Sequence, residues 1–114
     1  MEDEGYTHVP IEIEINGRHY KEVVVDFKHI LERHSDHIDE QIVMEIILLM
    51  RGLELTPAIV VDGSEFYAIH VQASDHKGQG LCWYRVRFKL DDEIFIRTVH
   101  RDRDFKPERI KDDD

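Results

Sequence analysis

Apolar and charged residues alternate near the start of the chain. Isoleucine occupies every second position from 11 to 15, with glutamate between, as expected for a strand with one buried face. Asn16-Gly17 follows, a pair typical of a two-residue hairpin turn, and residues 22–25 give a second apolar run. This pattern predicts a β-hairpin over residues 10–25.

The apolar spacing then changes to that of helices. Asp26 is a suitable N-cap for a helix from Phe27, whose apolar face takes in positions 27, 30, 31 and 34. Ser35-Asp36 interrupts this helix. A second helix is predicted from about Asp39 to Arg51, where apolar residues are dense.

The rest of the chain has the pattern of strands joined by short turns and one glycine-rich loop at 73–80. The predicted strands are residues 58–61, 66–72, 81–90 and 93–100. We therefore predict a single α+β domain, in which an N-terminal β-hairpin and two helices pack on a four-stranded antiparallel sheet. Its body covers about residues 6–107 and lies between acidic tails.

Composition and charge limit the class of function. The chain has 114 residues, enough for one domain, and a formal net charge of −10. Residues 1–5 carry −3 of that charge and residues 111–114 carry −2. Such a chain repels nucleic acid at long range, so binding to it needs a local basic patch.

Compartment can be inferred from what the sequence lacks. The single cysteine, Cys82, excludes an intrachain disulfide. No apolar run approaches the ~20 residues of a membrane span, and the acidic N-terminus lacks the pattern of a signal peptide. We expect a cytoplasmic protein that does not contact a membrane.

Two segments concentrate residues that can act on phosphate esters. The first predicted helix and the last predicted strand together carry His29, Arg33, His34, Arg97, Thr98 and His100. Imidazoles act as base and acid near neutral pH, and guanidiniums stabilise a charged phosphorane. These six residues are the predicted catalytic set for RNA cleavage without a metal.

A basic stripe follows the third strand of the predicted sheet. Arg85, Arg87 and Lys89 alternate with apolar residues and share the face turned away from the core. They are predicted to bind substrate phosphates, although a solvated strand face has the same pattern. In the last strand, strict alternation places Thr98 and His100 on the core-facing side.

Metal binding is a competing use of the histidines. His34-x-x-His37 with Asp36 is dense in ligands but matches no recognised zinc spacing, and the sequence has no paired cysteines. We therefore expect neither a metal nor another cofactor.

The segment DFKHILERHSD at 26–36 resembles the opening of prophage-borne domains in the barnase, EndoU, colicin and RelE-like nuclease superfamily. In those domains a second helix and a four-stranded antiparallel sheet follow, and the final strand carries a Thr-x-His-like motif, here within RTVH at 97–100. The order of elements agrees over roughly residues 23–106. The resemblance implies a metal-independent ribonuclease or toxin-like fold, in which the predicted catalytic set lines one cleft and RNA is the substrate.

An alternative is a non-catalytic acidic protein, such as an immunity protein, an antitoxin or a phage-encoded inhibitor. Its negative surface would cover a basic protein partner. A basic pocket that holds histidine and arginine together would favour the nuclease. A continuous negative face would favour the inhibitor.

Overall fold

A computed structural model describes residues 6–34, 37–75 and 80–105. The helices are α1 (Phe27–His34) and α2 (Glu40–Leu49). The strands are β1 (Tyr6–Val9), β2 (Ile13–Ile15), β3 (Arg18–Tyr20), β4 (Val23–Asp26), β5 (Ile59–Val61), β6 (Ser64–Ser74), β7 (Leu81–Leu90) and β8 (Ile94–Arg101). The acidic segments 1–5 and 111–114, predicted to be tails, lie outside the described residues, as do 76–79 of the predicted glycine-rich loop.

The predicted four-stranded antiparallel sheet is wrong. The structure has a six-stranded mixed sheet in the order β1-β4-β8-β7-β6-β5, and a separate two-stranded sheet of β2 and β3. Strands β5 to β8 form the predicted antiparallel meander, but β4 adds to it by pairing parallel to β8, and β1 then pairs antiparallel to β4.

The predicted sheet is wrong because residues 23–25, which form β4, were assigned to the hairpin. Residues 22–25 were predicted to be the second strand of the N-terminal hairpin. Val23, Val24 and Val25 are all buried, with at most 4% exposure, as in an internal strand covered on both faces. A continuous valine run with no polar alternation is the sequence signal of such a strand, and here it joins the main sheet.

The hairpin is shorter than predicted and is formed by β2 and β3. Asn16 and Gly17 both have positive φ, 55° and 76°, as a type I′ turn requires. Ile13, Ile15 and Tyr20 point into the core. The turn is attached to β6, because the Asn16 side-chain amide donates to the Tyr67 hydroxyl at 2.7 Å.

Both helices begin at an aspartate. The Asp26 carboxylate accepts from the His29 backbone N–H at 3.2 Å, and Asp39 accepts from that of Ile42 at 3.0 Å. Helix α1 packs along β8 and α2 packs against β6. Their apolar residues and one face of the large sheet form a single core cluster. Neither helix has the length and the apolar composition that a membrane crossing would need, in the part of the chain described.

Strand β8 has one residue more than its pairing with β7 requires. Phe88 pairs with Ile96 and Arg87 pairs with Thr98, so Arg97 is the additional residue of a β-bulge. Two residues of β8, Arg97 and Thr98, therefore lie opposite Arg87.

The bulge decides which side chains of β8 reach the core. Val99 is fully buried, whereas Thr98 and His100 pair with Arg87 and Arg85 on the opposite face of the sheet. The predicted core-facing position of Thr98 and His100 is wrong, because strict alternation does not allow for an inserted residue. We call the face of the six-stranded sheet that is turned away from the core the outer face.

Candidate functional site

Three polar residues lie side by side on the outer face. His70 on β6 pairs in register with Arg85 on β7, and Arg85 pairs with His100 on β8. Paired residues share a face and neighbouring strands are ~4.8 Å apart, so the histidine backbones are separated by about 10 Å. This His–Arg–His row places one guanidinium between two imidazoles.

A depression lies next to the row. Its volume is about 380 Å³, and Arg85, Arg87, Arg97 and Thr98 contribute to its lining. Arg87 and Thr98 pair with each other one pleat away from the row, and the bulge adds Arg97 beside them. The volume is in the range of small-ligand sites.

The arginines of this depression have no carboxylate partner among the described residues. Elsewhere on the protein, the bases that pair with carboxylates include Arg18 with Glu65, Lys89 with Asp91 and Arg101 with Asp75. Acidic residues outnumber lysine and arginine by 25 to 15, so unpaired arginines in one place are a local exception to the negative charge. Arg85, Arg87 and Arg97 form a positive patch that can attract an anion.

Two of the residues that line the depression each have a buried polar atom without a hydrogen-bond partner among the described residues. The Arg85 Nε and the Thr98 Oγ1 are inaccessible to solvent and make no hydrogen bond within residues 6–34, 37–75 and 80–105. An enclosed polar group without a partner costs about 1–3 kcal/mol. Because neither atom is accessible, an anion in the depression could accept from them only after these side chains rotate.

His100 is held towards its neutral form. Burial lowers the pKa of His100 most, and the positive charges of Arg85, Arg87 and His37 lower it further, while the carboxylate of Asp102 acts in the opposite direction. The neutral imidazole is the form that accepts a proton.

His70 is oriented by residues that follow β8. Its Nε2 donates to the Asp102 carboxylate at 2.8 Å, and this hydrogen bond is the main reason that the pKa of Asp102 lies below its usual value. The Phe105 ring stacks on the imidazole, with centroids 3.7 Å apart and planes 9° apart. Trp83 meets Phe105 edge-on at 5.0 Å. The ring of His70 is therefore held by the Asp102 carboxylate and the Phe105 ring, and its Nδ1 takes no part in that hydrogen bond.

The predicted site residues divide into two groups. Arg85, Arg87, Arg97, Thr98 and His100 come together on the outer face, as the row and the depression show. This group joins the two predicted sets, catalytic and phosphate-binding, in one place.

The other predicted residues do not join this group by any contact that the structure describes. His29 is half-buried in the first turn of α1, Arg33 is exposed, and His34 ends the helix. Within the described residues, the side chains of His29 and Arg33 make no hydrogen bond or ion pair. Lys89 is engaged with Asp91 at 3.5 Å and lies 5.7 Å from the centre of the Phe95 ring.

Sequence reasoning missed His70 as a member of the site. His70 belongs to a strand that was predicted, but its partner in β7 depends on the register. The sequence predicts only a glycine-rich loop at 73–80 between the two strands, and such a segment carries no turn signal that determines the register.

One group of possible metal ligands lies elsewhere. The ligand atoms of His8, Glu22 and Glu93 are all within 4.8 Å of one another, and His8 and Glu93 are exposed. Glu93 precedes β8, whereas His100 is near its other end, so this group is separate from the row.

Comparison of the chain with protein families, with curated proteins and with solved structures finds no match in any of the three.

Proposed function

We propose that the chain is a metal-independent endoribonuclease whose site is the His–Arg–His row together with the adjacent arginine-lined depression. The observation that carries the proposal is the convergence, on one face of a strongly acidic protein, of two histidines and three arginines that pair with no carboxylate of the described residues. A solvated strand face would be expected to pair its arginines with the abundant carboxylates. A site for a phosphodiester leaves them for the substrate.

The row has the components of acid–base cleavage. In this scheme His100 takes the proton of the RNA 2′-hydroxyl, because its surroundings keep the imidazole neutral. The 2′-oxygen then forms a bond to phosphorus, and the bond from phosphorus to the 5′-oxygen breaks. His70 gives a proton to that leaving oxygen, and the Asp102 carboxylate compensates the charge of protonated His70. The products are a 2′,3′-cyclic phosphate and a 5′-hydroxyl.

The arginines stabilise the charge that develops on the phosphorane. Arg85 lies between the two histidines in strand register, so in this scheme it binds the phosphate that both must reach. Arg87 and Arg97 provide further charge, and the Thr98 hydroxyl, which is inaccessible in this arrangement, would donate to a phosphate oxygen only after its side chain rotates. Helix α1 packs on the core side of β8, opposite to the outer face, so this scheme assigns no step to the predicted residues His29, Arg33 and His34.

Cleavage of total RNA in EDTA by matched variants tests the proposal. His100→Gln and His70→Gln should each reduce the rate by about 100-fold or more, since each removes an acid or a base. His19→Gln is the control, because His19 is an exposed histidine on the hairpin, away from the outer face. Equal rates for all three variants and the native chain would exclude the row from catalysis. Loss of activity in EDTA that added Mg²⁺ restores would exclude a metal-independent reaction.

The net charge of −10 favours a second candidate, a non-catalytic acidic inhibitor of a basic protein. Such a protein would show no RNA cleavage, and it would retain a cellular partner in a pull-down that rising salt releases. Both candidates fit a cytoplasmic location, which is part of the proposal.

A further inference from the structure

A pair of aromatic rings lies on the protein surface beside the His–Arg–His row. Trp83 precedes Arg85 by two positions on β7, so it shares the outer face about 7 Å further along the strand. Phe105 contacts both Trp83 and His70. Both rings are half-buried, and neither belongs to the hydrophobic core cluster.

We propose that the Trp83–Phe105 pair is a base-binding subsite, which stacks one nucleobase of single-stranded RNA next to the phosphate held by Arg85. The inference rests on the proposed function, and it adds the strandedness of the substrate. Bases in a duplex are stacked on one another, so only an unpaired base can lie on a protein ring.

The arrangement of the rings supports this role. One face of Phe105 is covered by His70 in a near-parallel stack. A base on the other face would extend that stack to three rings. The edge-on contact with Trp83, at 65° between the ring planes, holds the Phe105 ring at a defined angle.

The distance between the aromatic pair and Arg85 also suits the distance between the base and the phosphate of one nucleotide. The base would lie beside Trp83, and its phosphate would lie one pleat away at Arg85, on the same strand and the same face. Stacking does not depend on the identity of the base, so the subsite predicts weak sequence preference together with strong preference for single strands.

Binding can be measured without cleavage by using a fluorescein-labelled 2′-O-methyl oligonucleotide, whose blocked 2′-oxygen cannot attack phosphorus. The native chain should bind this probe at least tenfold more tightly than an abasic strand of equal length, and more tightly than the same sequence in a duplex. Trp83, the only tryptophan, should show quenched fluorescence with the base-bearing probe and not with the abasic one.

Phe105→Leu keeps an apolar side chain and removes the stacking ring. It should weaken binding of the base-bearing probe by about tenfold and leave binding of the abasic strand unchanged. Phe95→Leu is the matched control, because Phe95 is another half-buried ring, which instead contacts Tyr6 at 5.1 Å. It should change neither affinity by more than twofold.

Two results would overturn the inference. One is equal affinity of the native chain for base-bearing and abasic strands, a comparison that needs no variant. The other is unchanged binding of the base-bearing probe by Phe105→Leu. If RNA is not cleaved but binding depends on the base and on Phe105, then the nuclease proposal fails and the subsite stands. If cleavage requires His100 but base-bearing and abasic strands bind with equal affinity, the subsite inference is wrong and the nuclease proposal stands.

Discussion

Replacement of Arg87 by alanine tests whether the outer face binds a phosphate backbone. Arg87 is exposed, lines the depression and pairs with no carboxylate of the described residues. A hydrogen bond to a charged group contributes about 1.5–3 kcal/mol, and the lower value suits an exposed site. Since 1.4 kcal/mol is a factor of ten, Arg87→Ala should weaken binding of single-stranded RNA by about tenfold.

The salt dependence of binding gives a second, independent magnitude. Each phosphate contact on a single strand contributes about 0.7 to the slope of log affinity against log salt. Three contacts, from Arg85, Arg87 and Arg97, should give the native chain a slope of at least about 2. Arg87→Ala should lower that slope by about 0.7. Fluorescence anisotropy of a labelled 2′-O-methyl oligonucleotide over a range of salt concentrations measures both quantities.

Arg51→Ala provides the control for net charge. Arg51 is exposed beyond the end of α2, near the hairpin, and its removal changes the total charge by the same amount. We expect less than a twofold loss of affinity and no change of slope. If Arg51→Ala and Arg87→Ala had equal effects, the binding would reflect overall charge, and the depression would have no specific role.

Three further predictions concern folding and the bulge. The pKa of His100 is lower in the folded chain than in the unfolded chain, so as the pH decreases the unfolded chain binds a proton at His100 first. The free energy of unfolding should therefore fall as the pH decreases below about 6.5. Urea titrations at several pH values should show a smaller fall of this free energy in His100→Gln than in the native chain. Deletion of Arg97 removes the bulge but keeps Thr98 opposite Arg87, so the variant should fold, and its salt slope should fall by about 0.7. Asp39→Ala removes the cap of α2 and should cost about 1 kcal/mol in urea unfolding, with no effect on RNA cleavage.

Each of these has a contrary outcome. Equal pH dependence of the native chain and His100→Gln would show that other groups control stability in that range. An Arg97 deletion with an unchanged salt slope would show that the bulge residue does not contact RNA. Native stability of Asp39→Ala would show that the Asp39 carboxylate contributes nothing as a cap.

Much of the local structure follows from short-range patterns. The turn at Asn16-Gly17, the Asp26 cap and the start of α1 at Phe27 depend on neighbours within a few residues, and these predictions are confirmed. Helix α2 ends at Leu49, two residues before the predicted end at Arg51. The four meander strands are also confirmed, and their ends differ from the predicted ends by at most about two residues. The alternation of Arg85 and Arg87 identified the stripe that lines the depression.

The pairing of strands that are far apart in the chain could not be predicted from short-range patterns. The valine run at 23–25 was assigned to the wrong partner, because a parallel pairing with β8 joins segments about seventy residues apart. The bulge at Arg97 reversed the expected side of Thr98 and His100, since one inserted residue shifts the alternation that follows it.

The sequence by itself determined the chemistry available to this protein: its acidic charge, its histidines and arginines, and the local elements that carry them. Only the tertiary structure decided which of them meet. Strand register brought His70 beside Arg85, and the bulge placed His100 on the same face, whereas proximity along the chain had favoured the histidines of α1. The physical reason is that side chains on neighbouring strands are brought together by backbone hydrogen bonding and core packing, and both depend on residues far apart in the chain.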